Sequence, residues 1–217
     1  MNEPSPKNVP PTGRLFAVIP AAGLSRRMGR PKLTLPLGGK PVLQRLLEKL
    51  DRTEITARVV VTRQADQAVA DLAESTGAWA VRPEVDPPDM RASVQFGLAA
   101  IEQRFSPVAA DGWILLPADH PLLDADVLTA LLQRWRTARP TILVPTFQGK
   151  RGHPTFFRWP LAAEALALPA DCGLNQLLRQ HQQDVLESAV TSPDVLTDLD
   201  TPADFERLKL RFEACDD

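Results

Sequence analysis

Cysteine is scarce in this 217-residue chain. Cys172 and Cys215 are the only two, they stand far apart, and no Cys-x-x-Cys occurs. The three histidines, His120, His153 and His181, are scattered and make no zinc spacing. Neither a disulfide framework nor a zinc motif therefore underlies the fold, and a reducing cytoplasm is the expected compartment. Long apolar runs are also missing: nothing approaches the ~18 residues of a membrane span. There is no excess of positive charge, because 25 Lys and Arg face 27 Asp and Glu for a formal net charge of -2. Broad binding to nucleic acid or to an anionic membrane is not implied. No internal repeat and no linker divides the chain. Residues Met1 to Arg14 hold four prolines and no apolar h-region. They read as a short disordered tail rather than a signal peptide or anchor, leaving residues 15–213 as the domain.

Two standard phosphate loops are absent as well. There is no Gly-x-Gly-x-x-Gly, so a dinucleotide fingerprint is unsupported, and Gly39-Lys40 is followed by Pro41, which is no Walker A loop.

What is present is a globular balance, 44% apolar and 24% charged, in a chain long enough to bury a full core. Continuous apolar runs at Leu15 to Ile19, Arg58 to Thr62 and Gly112 to Leu116 read as strands buried on both faces. Shorter strands are expected at Ala78 to Val81, Thr141 to Pro145, Pro154 to Arg158 (extended) and Val185 to Val190. Helical patterns cover Pro41 to Leu50, Ala65 to Ser75, Ser93 to Phe105, Ala125 to Arg136, Leu174 to His181 and Pro202 to Phe212. The alternation predicts an α/β, three-layer, doubly wound domain with a mostly parallel, Rossmann-like sheet. Ligands in such a fold sit beyond the carboxyl ends of strands.

The stretch after the first strand is the most informative: Pro20-Ala21-Ala22-Gly23-Leu24-Ser25-Arg26-Arg27-Met28-Gly29-Arg30-Pro31-Lys32. Its small residues let backbone N–H groups approach anionic oxygens. Arg26, Arg27, Arg30 and Lys32 put four cations within seven residues, the pairing a triphosphate needs.

The pattern Ala-Ala-Gly-x-Ser-x-Arg-Met-Gly-x-x-Lys resembles the signature of the MobA-like NTP transferases, nearest to the molybdenum cofactor cytidylyltransferases. The resemblance spans about residues 15 to 210. It implies a nucleotide-diphospho-sugar transferase type of fold and a Mg2+-dependent transfer of a nucleoside monophosphate, with pyrophosphate released. By this resemblance Ala21, Ala22, Gly23 and Ser25 line the nucleotide, and Arg26 and Lys32 bind the triphosphate and steady charge at its α-phosphorus. For Arg27 and Arg30 it implies no more than a solvent-facing position. Ser93, at a helix start, would contact the nucleotide. Asp119 and Asp200 would hold the metal, with Asp198 as a rival, and Asp119 would join Arg26 and Lys32 in catalysis. Taken alone, Asp119 can also cap a turn before Pro121. Asp200 can cap the helix opened by Thr201 and Pro202, and capping is compatible with metal binding.

On the acceptor side the resemblance implies Arg151 and His153, in the bend made by Gly149 to Pro154, and His120. No strong general base is expected, because a phosphate nucleophile is already ionised near neutral pH. The leading reading is CTP plus molybdopterin, with a molybdoenzyme or its chaperone as protein partner and a monomer or weak dimer in solution. A second reading keeps the chemistry and takes a sugar phosphate or an alcohol phosphate. Its motive is that Asp171-Cys172-Gly173-Leu174-Asn175 stands where molybdopterin enzymes usually carry Asp-x-Gly-Ala-Arg. A third is a nucleotide-binding regulatory module without catalysis. A glycosyltransferase, the fourth, should carry Asp-x-Asp after a central strand, whereas Asp198-Leu199-Asp200 precedes the final helix.

Overall fold

The computed structural model describes residues 13–213. The tail expected over residues 1–14 therefore falls, for residues 1–12, outside the described residues, as does Cys215. Among the described residues ten strands form: β1 (Leu15–Pro20), β2 (Pro36–Leu37), β3 (Lys40–Pro41), β4 (Ala57–Val61), β5 (Trp79–Val81), β6 (Gly112–Leu115), β7 (Ile142–Phe147), β8 (Lys150–Arg151), β9 (Thr155–Arg158) and β10 (Val185–Ala189). The same residues form seven α-helices: α1 (Val42–Lys49), α2 (Gln67–Ser75), α3 (Met90–Phe105), α4 (Ala125–Ala138), α5 (Leu161–Ala167), α6 (Asn175–Gln180) and α7 (Pro202–Glu213).

The main sheet runs in the order β10-β7-β9-β6-β1-β4-β5, with β8 added on β7. Strand β1 lies centrally, parallel to both β4 and β6, and β5 and β10 pair parallel with β4 and β7. Only β9 and the short β8 run against their neighbours. This is the mostly parallel, doubly wound arrangement that the alternation of elements predicts. Period-two alternation divides the core between the two faces of the sheet. Leu15, Ala17 and Ile19 point into a cluster with α1, α2, α4 and α7. Phe16 and Val18 point the other way, to α3, α5 and α6. Because both faces are covered, all six residues of β1 are buried, which is why that run lacks polar residues.

Helix α3 lies close on the sheet at Gly97, where an added Cβ would come within 2.8 Å of a Val18 methyl and 3.1 Å of a Val61 methyl. The helix begins at Met90 rather than Ser93, because the Asp89 carboxylate caps it by accepting from Ala92 N–H. Helix α5 was not expected. Its sequence, Leu-Ala-Ala-Glu-Ala-Leu-Ala after Pro160, carries a strong propensity signal but too few positions to show a helical period.

The start of β1 is fastened by an ion pair between the half-exposed Arg14 and the buried Asp111. Asp111 accepts from Arg14 N–H at 2.7 Å, from the Arg14 guanidinium at 2.8 and 3.2 Å, and from Val108 N–H at 2.9 Å. Burial pushes the Asp111 carboxyl up, but these donors outweigh it and hold the group below the usual carboxylate range. Replacing Asp111 by Ala strands these donors, and urea unfolding is expected to show a loss of about 2–3 kcal/mol at pH 7. A carboxyl depressed in the folded state stabilises above its unfolded value, near ~4, and that contribution is lost as pH falls below it. The gap between wild type and Asp111→Ala should therefore narrow at pH 3. A gap independent of pH would contradict this account.

Candidate active site

The carboxyl ends of β1, β4, β5 and β6 open together into one cleft of about 610 Å³, within the ~300–1,000 Å³ of small-molecule sites. Its wall begins with the loop after β1. Ala21 N–H closes on Val61 O at 2.8 Å. Among the described residues, the N–H groups of Ala22, Gly23 and Leu24 have no hydrogen-bond partner. A Cβ placed on Gly23 would meet nothing within 4 Å, so this backbone borders open space. Beyond it the chain turns tightly: Ser25 adopts φ 50° and its carbonyl accepts from Met28 and Gly29. A positive φ is unusual for serine and belongs to sites where the backbone is constrained. The Ser25 hydroxyl accepts from Lys32 N–H at 3.3 Å, which ties the lysine to the front of the loop.

Lys32 is buried, and its Nζ lies 2.6 Å from Asp119 Oδ2 and 2.9 Å from Asp200 Oδ1. Arg27 reaches the other oxygen of Asp200 at 2.6 Å. Burial lowers the Lys32 pKa, but the two carboxylates outweigh it and raise it above the ordinary value. For Asp200 burial pushes upward, and Lys32 and Arg27 more than reverse it, holding the carboxyl below its usual range.

Backbone contacts bring the two acids together. Ala118 N–H donates to Pro20 O, extending the β1–β6 ladder, and Leu199 N–H donates to Asp119 O at 2.9 Å. The helix N-cap is not Asp200 but Thr201. Thr201 Oγ1 accepts from Asp204 N–H, while the Asp204 carboxylate accepts from Thr201 N–H at 2.9 Å, a capping box. Asp200 is thereby left to face the cleft, and of the two candidate acids, Asp200 lines it while Asp198 is exposed and does not.

Ala21, Ala22, Gly23, Ser25, Arg26, Lys32, Ser93, Asp119 and Asp200 thus share one cleft. Ser93 is buried, and its hydroxyl donates to Asp89 O at 3.1 Å. The residues expected on the acceptor side do not join them. Arg151 is paired with Glu187 at 2.8 Å, on the β8–β10 side of the sheet. His153 and His120 pack against one another, ring centroids 5.1 Å apart, and neither lines the cleft. Burial pushes the His153 pKa down to about 4 and also lowers that of His120. His120 Nε2 is 4.0 Å from Asp119. Nor does Gly152 make a bend: a Cβ there would lie 2.3 Å from Val195 O, so the need is close approach, and the turn falls on Gln148 and Gly149.

Three cleft residues escaped sequence reasoning. Arg27 was expected only to face solvent, although the arginine of the Arg-Met pair in the loop pattern is Arg27 and not Arg26. Arg63 and Asp86 line the cleft and pair at 2.6 Å. They follow β4 and β5, so the rule that ligands gather at strand carboxyl ends was the available signal.

Comparison with known proteins now decides the family. A sequence profile of the MobA-like NTP transferase domain matches residues 17–185. This chain belongs to that family. It is 28% identical to the purine catabolism protein PucB of Bacillus subtilis, over 90% of this chain and 96% of that one. It is 36% identical to the molybdenum cofactor guanylyltransferase of Rhizobium meliloti (73% and 67%). With the molybdenum cofactor cytidylyltransferase of Escherichia coli it shares 24% identity (90% and 95%). Among solved structures, the Mycobacterium tuberculosis Rv0371C complex with manganese superposes with a TM-score of 0.73 at 25% identity, covering 91% of this chain and 98% of that one. The fold is that of the nucleotide-diphospho-sugar transferases, and the family is one of nucleotidyltransferases.

The three-way bridge carries its own test. Lys32→Met leaves two carboxylates facing each other, and a loss of roughly 2 kcal/mol is expected in metal-free urea unfolding. In a double-mutant cycle, Lys32→Met with Asp200→Asn should couple by about 1 kcal/mol or more. Strict additivity would mean that the contact contributes nothing.

Proposed function

We propose that the cleft binds an NTP together with a divalent cation, Mg2+, and transfers the nucleoside monophosphate to a phosphorylated acceptor, releasing pyrophosphate. One observation carries this reading: Lys32, Asp119 and Asp200 converge at the mouth of a loop in which, among the described residues, the N–H groups of Ala22, Gly23 and Leu24 have no partner. Two carboxylates that already share one cation are a fitting donor set for Mg2+, which takes few protein carboxylates and completes its shell with water and phosphate oxygens. The manganese complex of the mycobacterial relative supports a divalent ion in this fold.

The residues then divide the task. The N–H groups of residues 22–24 and the side chains of Arg26, Arg27 and Lys32 hold the polyphosphate, orienting the α-phosphorus for in-line attack. Lys32 stays protonated well above neutral pH and supplies positive charge where the transition state gathers negative charge. Asp119 and Asp200 would hold the cation, which when bound supplies further neutralisation of phosphate charge. The acceptor's phosphate brings its own ionised oxygen, so no side chain must remove a proton. Ser93, Arg63 and Asp86 line the same cleft on its α3 and β4–β5 sides.

CTP is the proposed donor and molybdopterin the proposed acceptor, on the resemblance of the loop and of the Asp119 and Asp200 segments to cytidylyltransferases. One observation favours a second reading. Arg151 is engaged by Glu187, and Leu174 and Asn175 stand where an arginine was expected, so no acceptor cation from these segments enters the cleft. This departure from the molybdopterin-type pattern is the motive for a sugar phosphate or an alcohol phosphate as the acceptor.

Pyrophosphate release from CTP and molybdopterin is expected to fall at least ~100-fold in kcat/KM in Lys32→Ala and in Asp119→Ala. Wild-type turnover in both variants would defeat the mechanism. A thermal-shift series of the four NTPs with Mg2+ identifies the donor as the nucleotide giving the largest rise in Tm. If molybdopterin gives no turnover and a sugar or alcohol phosphate does, the second reading replaces the first. Tight NTP binding with no turnover of any acceptor would leave a binding module.

A further inference from the structure

Asp200 is held at the cleft by the residues behind it as well as by the cations in front. It precedes α7, and its backbone N–H donates to Asp204 Oδ2 at 3.3 Å. The same oxygen accepts from Thr201 N–H at 2.9 Å and from Thr201 Oγ1 at 2.8 Å. Arg207 donates to the other oxygen at 2.9 Å, and Asp204 N–H returns a bond to Thr201 Oγ1 at 3.2 Å. One carboxylate thus fixes two successive peptide N–H groups, the first belonging to the residue whose side chain faces Lys32. Leu199, immediately before, is tied by its N–H to Asp119 O. Between the two anchors, Asp200 has little backbone freedom.

From this geometry we infer that Asp204 is a positioning residue: the capping box of α7 sets the place of Asp200 and so the separation of the two carboxylates that would share a cation. An ordinary helix cap would need only the Thr201 exchange. The additional bond from Asp200 N–H extends the box to the residue outside the helix and couples the end of α7 to the cleft. Because Asp204 is itself absent from the cleft lining, it acts through Asp200 and touches no substrate. The inference rests on the reading of Asp119 and Asp200 as cation ligands, and its test separates the two.

Mn2+ alone is titrated into the full chain, and the free ion is read from its EPR signal. Asp204→Ala is expected to weaken Mn2+ binding by ~10- to 100-fold, the usual effect of removing a partner that orients a metal ligand. Asp204→Asn, which keeps one accepting oxygen, should lie closer to wild type. Thr201→Val, which breaks the same box from the other side, should shift in the direction of Asp204→Ala and serves if that variant fails to fold. Amide exchange at residues 200 and 201 should quicken in Asp204→Ala. Loss of a cap also lowers stability, so Asp124→Ala is the control. Asp124 caps α4 by accepting from Asp126 and Val127 N–H, and its loss should lower Tm while leaving Mn2+ affinity unchanged. The inference is overturned if Asp204→Ala keeps wild-type Mn2+ affinity while Asp200→Asn loses it. If Asp200→Asn binds Mn2+ as well as wild type does, the reading beneath it fails instead.

Discussion

The ammonium of Lys32 lies between two carboxylates that approach it from opposite parts of the chain, one after β6 and one before α7. A cation between two like charges offsets their repulsion. The lysine is also tied through its own N–H to Ser25 in the loop after β1. Three segments distant in sequence therefore meet at one nitrogen. The rest of the architecture can be understood as what holds them there: the β1–β6 ladder carried past the strand ends, the bond from Leu199 to Asp119, and the cap that frees Asp200.

This arrangement explains why the central strand is so apolar and the loop after it so polar. Strand β1 is covered on both faces, so it can tolerate no charge. Its carboxyl end is where the helices part, and there the backbone turns away with N–H groups that no strand neighbour takes. Such donors suit an anion, and a cleft with both cations and two acids suits the polyphosphate and the divalent ion proposed for it. Membership of the MobA-like NTP transferase family gives that chemistry a precedent. Two of its relatives act, by name, with different nucleotides, one being a molybdenum cofactor guanylyltransferase and the other a molybdenum cofactor cytidylyltransferase.

Much of the cleft was legible in the chain. The small and cationic residues of 21–32 marked out a loop that lines the cleft, and Asp119 was recognisable as an acid at a strand's carboxyl end. The acceptor side was less legible. Arg151 and His153 were implied by the resemblance, yet one is neutralised by Glu187 and the other packs against His120. Charge and hydrogen-bonding capacity can be read from a residue's identity, but whether a neighbour has already used them cannot. Arg27 illustrates the converse, since nothing local indicates that it meets a carboxylate 173 residues away.

The sequence by itself determined the alternation of buried strands and helices, the mostly parallel sheet which that alternation implies, and the presence of a cationic loop after the first strand. These follow from periodicity, propensity and the chemistry of short segments, all of which act between near neighbours. Tertiary structure alone decided that Asp200 rather than Asp198 enters the cleft, that Thr201 takes over the capping, and that Arg63 and Asp86 join the wall. Those outcomes depend on which backbone groups are satisfied by distant partners, and that is settled only when the whole sheet has closed.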